Sequence, residues 1–375
     1  MRVKYCAFVV AICLLLLTGC AYQQTENTAY NSQDSDEIYI GIAYPVALNE
    51  GDSLFREGYE LAIKYINENG GVLGKTLHAI IRDDNDDVHS AMQIADAFFD
   101  QGITAVIGHW STNVSYFVSD VYEKNGVVMI TPTATGMNLL DYDNRYVFRM
   151  FANHEVMSHA LADHSADHGH RHVAIFFDDN EFGRDFATAM EIQLSRHNIA
   201  VVDRVSSITS FNIADISARW SAFGVDAVYV ASSVENFAEP IKLIRAVNPD
   251  IPILSGDNFG GSSVNYQLKD YLDNMFKATY DIELLDNDFL QMFYETYGQS
   301  PDVRAVAAYD SVKLLASAME AVGSTDATAI AAYISSVSDF HAVSGALTFD
   351  RNSGEFEGFK VIVREINTNG DIKDE

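Results

Sequence analysis

The sequence predicts an α/β fold built from two similar lobes, and three observations predict it. First, short apolar runs and amphipathic stretches alternate along most of the chain, the order expected of strands followed by helices. Second, residues 103–107 and 127–130 are apolar runs of four or five residues, each with a turn signal after it. Such runs read as buried parallel strands. Third, that pair occurs twice. Gly224-Val-Asp-Ala-Val-Tyr-Val230 echoes Gly102-Ile-Thr-Ala-Val-Ile-Gly108, and Asp250-Ile-Pro-Ile-Leu-Ser255 echoes Gly126-Val-Val-Met-Ile-Thr131. The spacing is 24 residues in one copy and 26 in the other. Two copies so far apart make two lobes rather than a solenoid.

Each element has its own reason. Residues 38–43 are an apolar first strand. Residues 52–69 are helical, with Leu54, Phe55, Leu61, Ala62, Tyr65 and Ile66 at three- and four-residue steps and Gly70-Gly71 as the stop. Strand 77–81 and helix 86–101 follow, then strand 103–107, a helix to about Lys124 and strand 127–130. Residues 146–150 form a strand leading to the second lobe. There the order is helix 155–168, strand 172–177, helix 181–197, strand 200–205 and helix 213–223. The echoed strands enclose helix 235–247, and strand 275–280 leads back. Helices 289–297, 303–322 and 327–336 follow, and strands 346–349 and 359–366 close the chain. Val306, Ala307, Leu314, Leu315, Ala318 and Val322 share one face of the 303–322 helix.

Composition bounds the function. The 375 residues suffice for two domains with real cores. With 48% hydrophobic and 21% charged residues the chain is globular. A net charge of −29 argues against nucleic acid and against anionic membrane surfaces as partners.

Residues 1–19 read as a signal peptide. Arg2 and Lys4 form a basic start, and residues 5–17 form a 13-residue apolar run, too short to span a bilayer comfortably. The run ends Leu17-Thr18-Gly19-Cys20, which resembles the bacterial lipobox, cut before the cysteine with lipid attached at Cys20. Cleavage removes Cys6 and Cys13, which leaves Cys20 and no disulfide or cysteine metal site. It also leaves 22 basic against 53 acidic residues, a net of −31. Residues 20–37 are polar and aperiodic, a lipidated tether.

The loops after the echoed strands are the candidate site, because ligands bind beyond strand ends in open α/β sheets. Gly108-His-Trp-Ser-Thr112 and Thr131-Pro-Thr-Ala-Thr135 offer hydroxyls and a helix start, a setting for a carboxylate. The plainer reading is that Ser111, Thr112 and Thr135 cap helices. The second copy ends Ser255-Gly-Asp257-Asn258 and places a carboxylate opposite. Facing each other, the loops suit the two ends of an amino acid. Asp257 is then an ammonium partner or, more plainly, a helix cap, and Phe182 packs on a ligand or in the core.

Other chemistry finds little support. Asn69-Gly-Gly-Val-Leu-Gly-Lys-Thr76 misses the P-loop by its first glycine and lies between helix and strand, the wrong order. There is no nucleophile elbow and no HExxH motif, and no nucleophile–base–orienter pattern suggests an enzyme. His154, His159, His164, His168, His170 and His172 cluster, and His164 and His168 share a helix face. A solvated face is favoured over a metal site there. No cofactor is expected.

These residues resemble the type I periplasmic binding proteins of the leucine/isoleucine/valine-binding group. The resemblance is carried by Ala62-Ile-Lys-Tyr-Ile-Asn67, Gly70-Gly-Val-Leu-Gly74, Asp83-Asp84 and Val106-Ile-Gly108 with Ser111-Thr112. Thr131-Pro-Thr-Ala-Thr135, Tyr146-Val-Phe-Arg149, Asp178-Asp-Asn-Glu-Phe-Gly183 and Ala308-Tyr-Asp310 continue it in order over residues 38–366. It implies two Rossmann-like lobes with parallel sheets flanked by helices, joined by three crossovers near Met150, Tyr280 and Ser344. Lobe 1 is then 38–150 plus 280–344, and lobe 2 is 151–279 plus 345–375. The lobes close like a hinge.

The resemblance also assigns a ligand site: Ser111, Thr112, Thr133, Ala134 and Thr135 around the carboxylate, Asp257 on the ammonium, and Phe182 from the second lobe; Trp110, next to the carboxylate loop, joins the candidate ligand contacts. The function implied is an extracytoplasmic, lipid-anchored monomer that hands an amino acid to an ABC permease and its ATPases. The alternative is a lipoprotein that senses the ligand and signals to a membrane partner. The chain departs from the group at Tyr44-Pro-Val-Ala47, at Ser232-Ser233 and at Trp110, all of which bear on the choice of ligand side chain.

Overall fold

A computed structural model describes residues 30, 35–49, 53–140, 144–207, 212–233, 236–256, 267–281 and 286–366. The signal peptide, Cys20 and Asp257 lie outside the described residues. The first lobe opens with β1 (Glu37–Tyr44), α1 (Val46–Asn49), α2 (Phe55–Glu68), β2 (Thr76–Asp83) and α3 (Val88–Asp100). It continues with β3 (Ala105–Gly108), α4 (Thr112–Asn125), β4 (Val128–Thr131) and β5 (Val147–Arg149). Its sheet runs β2-β1-β3-β4-β5, all parallel. The order reverses beside β1, so the loops after β1 and β3 diverge and leave a crevice at their carboxyl ends.

The second lobe holds α5 (His154–Asp167), β6 (His172–Phe177), α6 (Glu181–Arg196), β7 (Ala200–Ser206) and α7 (Ile213–Phe223). β8 (Ala227–Ala231), α8 (Ala238–Val247), β9 (Ile253–Ser255) and β10 (Met275–Tyr280) follow. The chain returns to the first lobe through α9 (Asn287–Tyr297), α10 (Val303–Val322) and α11 (Ala327–Ile334). It ends in β11 (Phe340–Ala342), β12 (Gly345–Asp350), β13 (Glu355–Glu357) and β14 (Val361–Glu365). The second sheet runs β14-β10-β9-β8-β6-β7, parallel except for β14.

Local sequence explains the helix ends that face the crevice. Ser111, Asn153 and Asn180 accept from the N–H groups of Val114, Val156 and Gly183 and so cap α4, α5 and α6. The first core joins Ile40, Ile42, Ile107 and Ile130 to Val306, Leu315 and Met319 of α10. Gly58 of α2 faces the Ala305 carbonyl of α10 so closely that a methyl group there would collide with it. Bare backbone at Gly58 is what lets the two helices pack at short range.

The third crossing differs from the expectation near Ser344. Strands β11, β12 and β13 form a small antiparallel sheet that stays with the first lobe. Leu347 and Phe356 lie in the first core, and Phe349 meets Phe148 at 5.7 Å between ring centroids. The chain crosses only at 358–360, after which β14 pairs with β10. The reason is Asp310, which is wholly buried on α10. Its carboxylate accepts from Val343 N at 2.7 Å, Ser344 N at 3.0 Å and Ser344 Oγ at 2.8 Å. Those bonds turn residues 343–344 back into a hairpin at the point where the sequence suggested departure. β11 and β13 are too short for a pattern of two to show.

Candidate functional site

The loops after β3 and β4 form one hydrogen-bonded unit at the carboxyl edge of the first sheet. Thr133 Oγ1 donates to the Trp110 carbonyl at 2.6 Å. Thr131 Oγ1 donates to the His109 carbonyl at 3.0 Å and accepts from Ala134 N at 3.2 Å. Thr112 Oγ1 accepts from Thr135 N and Gly136 N, both at 3.2 Å. Each bond ties one loop to the other or closes a loop on itself. Thr112→Val removes the acceptor and leaves two buried N–H groups unpaired, an expected loss of about 1–3 kcal/mol in urea unfolding. A loss below about 0.5 kcal/mol would show that the two loops hold together without it.

Below this unit lies a wholly buried polar chain. His109 Nδ1 is 2.5 Å from Asp84 Oδ2, and Nε2 is 3.1 Å from the Tyr122 hydroxyl. Burial pushes the Tyr122 hydroxyl well above its usual range. Beside the unit stands Arg149, 1% exposed. Its Nη1 donates to the carbonyls of Ala134 at 3.2 Å and Gly136 at 2.6 Å. Its Nε donates to Glu355 Oε2 at 3.0 Å, and Nη2 pairs with Oε1.

The second lobe reaches this loop through α6 and the start of α5. Asp185 Oδ2 accepts from Met137 N at 2.7 Å, and Asn138 Nδ2 donates to Glu181 Oε1 at 3.1 Å. His154 N donates to the Thr135 carbonyl at 2.9 Å. The His154 ring bridges Asp185 and the Thr135 hydroxyl. Phe182 lies with its ring centroid 4.9 Å from that of His154. At the second sheet's carboxyl edge, Asp178 Oδ2 accepts from Ser233 N and Oγ, both at 2.9 Å, and from Asn236 Nδ2 at 3.1 Å.

The sequence-predicted residues therefore fall into groups. Ser111, Thr112, Thr133, Ala134 and Thr135 meet in the loop unit. Ser111 caps α4 with a 3.3 Å bond to Val114 N, so the plainer reading holds for that hydroxyl. Trp110 turns its ring toward the first core, edge-on to Phe55 at 5.7 Å and beneath the Arg304 guanidinium at 5.6 Å. Phe182 reaches the loop by way of His154.

Sequence reasoning missed Arg149, His154, Asp185 and Glu355 as parts of the site. Arg149 stood in a quoted motif without a role, and His154 was merged with a helix face it does not share. The rest of that face is half solvated. His164 and His168 stack at 3.9 Å beside Phe276, and burial pushes His164 down to about 4. Among the described residues, no group of three His, Cys, Asp or Glu side chains is arranged to hold a metal ion.

A family profile described as periplasmic binding protein matches residues 37–371. The chain belongs to the periplasmic binding protein family. It is a type I member of the leucine/isoleucine/valine-binding group, a family of extracytoplasmic solute-binding proteins and not of enzymes. One curated relative is the leucine-, isoleucine-, valine-, threonine- and alanine-binding protein of Pseudomonas aeruginosa. It is 23% identical over 345 residues, which cover 89% of this chain and 91% of the relative. Among solved structures, an ABC transporter substrate-binding protein from Desulfitobacterium hafniense in complex with Leu is 30% identical. Its TM-score is 0.81, with 90% of this chain and 99% of that chain covered. A branched-chain amino acid transporter substrate-binding protein from Streptococcus pneumoniae, solved with isoleucine, shares the fold at 20% identity. Its TM-score is 0.77, with 90% of this chain and 98% of that one covered. No helix among the described residues of this binding protein is long and apolar enough to cross a membrane.

Proposed function

We propose that this periplasmic binding protein is a lipid-anchored receptor that captures an α-amino acid between its lobes and delivers it to an ABC permease. The observation that carries the reading is the loop unit at 109–112 and 131–136. It is braced from both lobes at the carboxyl edge of a parallel sheet, in a chain 30% identical to a relative solved with Leu. The Thr112 and Thr135 hydroxyls and the start of α4 suit a carboxylate, and Asp257 suits the ammonium. Phe182 covers the ligand from the second lobe. Lipid at Cys20 would hold the receptor at the membrane. Both solved relatives are named as transporter substrate-binding proteins, which favours transport over signalling.

Thermal unfolding with each common amino acid in turn tests the reading. A ligand at 100 times its dissociation constant adds about 2.7 kcal/mol. If no amino acid raises the unfolding temperature, the amino-acid reading is wrong. For the ligand so found, Asp257→Ala is expected to weaken binding more than about tenfold, or about 1.4 kcal/mol, because the ammonium loses its counter-charge. Equal affinity in calorimetry would remove Asp257 from the site.

A further inference from the structure

The Thr135 hydroxyl has a single hydrogen, and an imidazole decides where it goes. His154 Nδ1 stands 2.6 Å from Asp185 Oδ2, and Nε2 stands 2.7 Å from Thr135 Oγ1. A carboxylate only accepts, so Nδ1 carries a hydrogen. In the neutral ring Nε2 is bare and accepts from the Thr135 hydroxyl. Oγ1 then has only lone pairs for anything else nearby, and lone pairs repel a carboxylate. In the charged ring Nε2–H donates to Oγ1, and the hydroxyl hydrogen is released. The ring cannot turn over easily to evade this choice. It is wholly buried, stacked on Phe186 at 4.5 Å and 14°, and edge-on to Phe182.

We propose that His154 is a positioning residue for ligand capture: proton uptake by its imidazole turns the Thr135 hydroxyl from acceptor to donor toward a ligand carboxylate. The inference rests on the assignment of Thr135 to that carboxylate. The balance is simple. A neutral imidazole, a carboxylate ligand and one proton from solvent give an imidazolium and a bound carboxylate, with only the Nε2–H bond made and no change in any heavy-atom bond.

The surroundings set the direction of the pH effect. Asp185 faces the ring from α6 and Arg149 from β5. Glu181 of α6 is held by Asn138, and Glu355 of β13 is paired with Arg149. Burial lowers the His154 pKa below its usual value, Asp185 opposes that shift, and the Arg149 charge adds to it. The unliganded protein at neutral pH therefore holds a neutral ring. A ligand carboxylate brings a further negative charge and raises the pKa. The bound state then holds more protons than the free state, so affinity rises as pH falls between the two pKa values, by at most about tenfold per pH unit.

Calorimetry of L-leucine binding to the full chain tests this at about pH 8 and about pH 6, in buffers of differing ionisation enthalpy. The comparison is His154→Asn, whose amide nitrogen lies near the place of Nδ1, keeps the Asp185 bond and stops short of Thr135. The wild type should take up a proton and gain about three- to tenfold in affinity over that range. The variant, whatever its affinity at about pH 8, should bind with no proton uptake and no pH slope down to about pH 6. A flat wild type, or a variant that keeps the slope, overturns the proposal while the amino-acid reading stands. If leucine binds neither protein, that reading loses its first ligand, and nitrogen NMR of the unliganded imidazole decides. A neutral ring protonated at Nδ1 at about pH 8 supports the proposal. A ring protonated at Nε2, or already charged there, overturns it.

Discussion

Arg149→Met should unfold in urea with a loss of about 3–5 kcal/mol, the cost of removing one partner from a buried ion pair. The guanidinium does three things from one buried position at the end of β5. It receives Glu355, whose side chain is 14% exposed, and it fills the carbonyls of Ala134 and Gly136. Methionine replaces its aliphatic stem but donates nothing. The substitution takes the donor from the Ala134 carbonyl and leaves the Gly136 carbonyl with Leu139 N and the Glu355 carboxylate with Asn153 Nδ2, each at 3.4 Å, in a site with little access to water. The Arg149→Met/Glu355→Gln double variant should recover part of the loss, because it removes the unpaired charge. The single variant should also bind ligand more weakly, since Arg149 holds the loop that carries Thr135. A loss below about 1 kcal/mol, with full ligand affinity, would mean that the loop's other bonds hold it without Arg149.

Asp310→Ala comes next in size, at about 3 kcal/mol. It leaves Val343 N–H, Ser344 N–H and the Ser344 hydroxyl without their acceptor, and a buried unmet donor costs about 1–3 kcal/mol. The wild type also carries a pH signature. Burial pushes the Asp310 carboxyl up to about 6 against the bonds from Val343 and Ser344. An unfolded aspartate releases its proton near about 3.9. Between those values the folded chain binds more protons than the unfolded one. The Asp310 contribution to stability is thus fullest below about pH 4, falls as pH rises to about 6, and is level above that. Unfolding free energies across that range should lose this slope in the variant. An unchanged slope would assign the titration to another group. The variant should also loosen the β11–β12 turn, which proton exchange at the Val343 and Ser344 amides would report.

Much of the fold was legible in the sequence because its parallel strands are short, apolar on both faces and followed by turns. The echo between 102–131 and 224–255 marked two lobes, and Ser111 marked a helix start. The helix 303–322 and the strand 172–177 stand where the pattern placed them. Of the small sheet at 340–357 only its central strand was legible, expected at 346–349 and found at Gly345–Asp350; the outer two take their pairing from it and from Asp310, more than thirty residues upstream. In the site, hydroxyls in strand-end loops were visible as candidates. Their partners were not.

By itself, the sequence determined a two-lobed α/β fold with hydroxyl-rich loops at its strand ends, because periodicity and turn chemistry are local properties. The tertiary structure decided which groups brace those loops. Arg149 with Glu355, and His154 with Thr135 and Asp185, are pairs distant in the chain, joined only where sheet, helix and crossover meet. Burial gives them their meaning: a charge or an imidazole is ordinary in water, but away from water it must find a partner, and no spacing in the sequence names that partner.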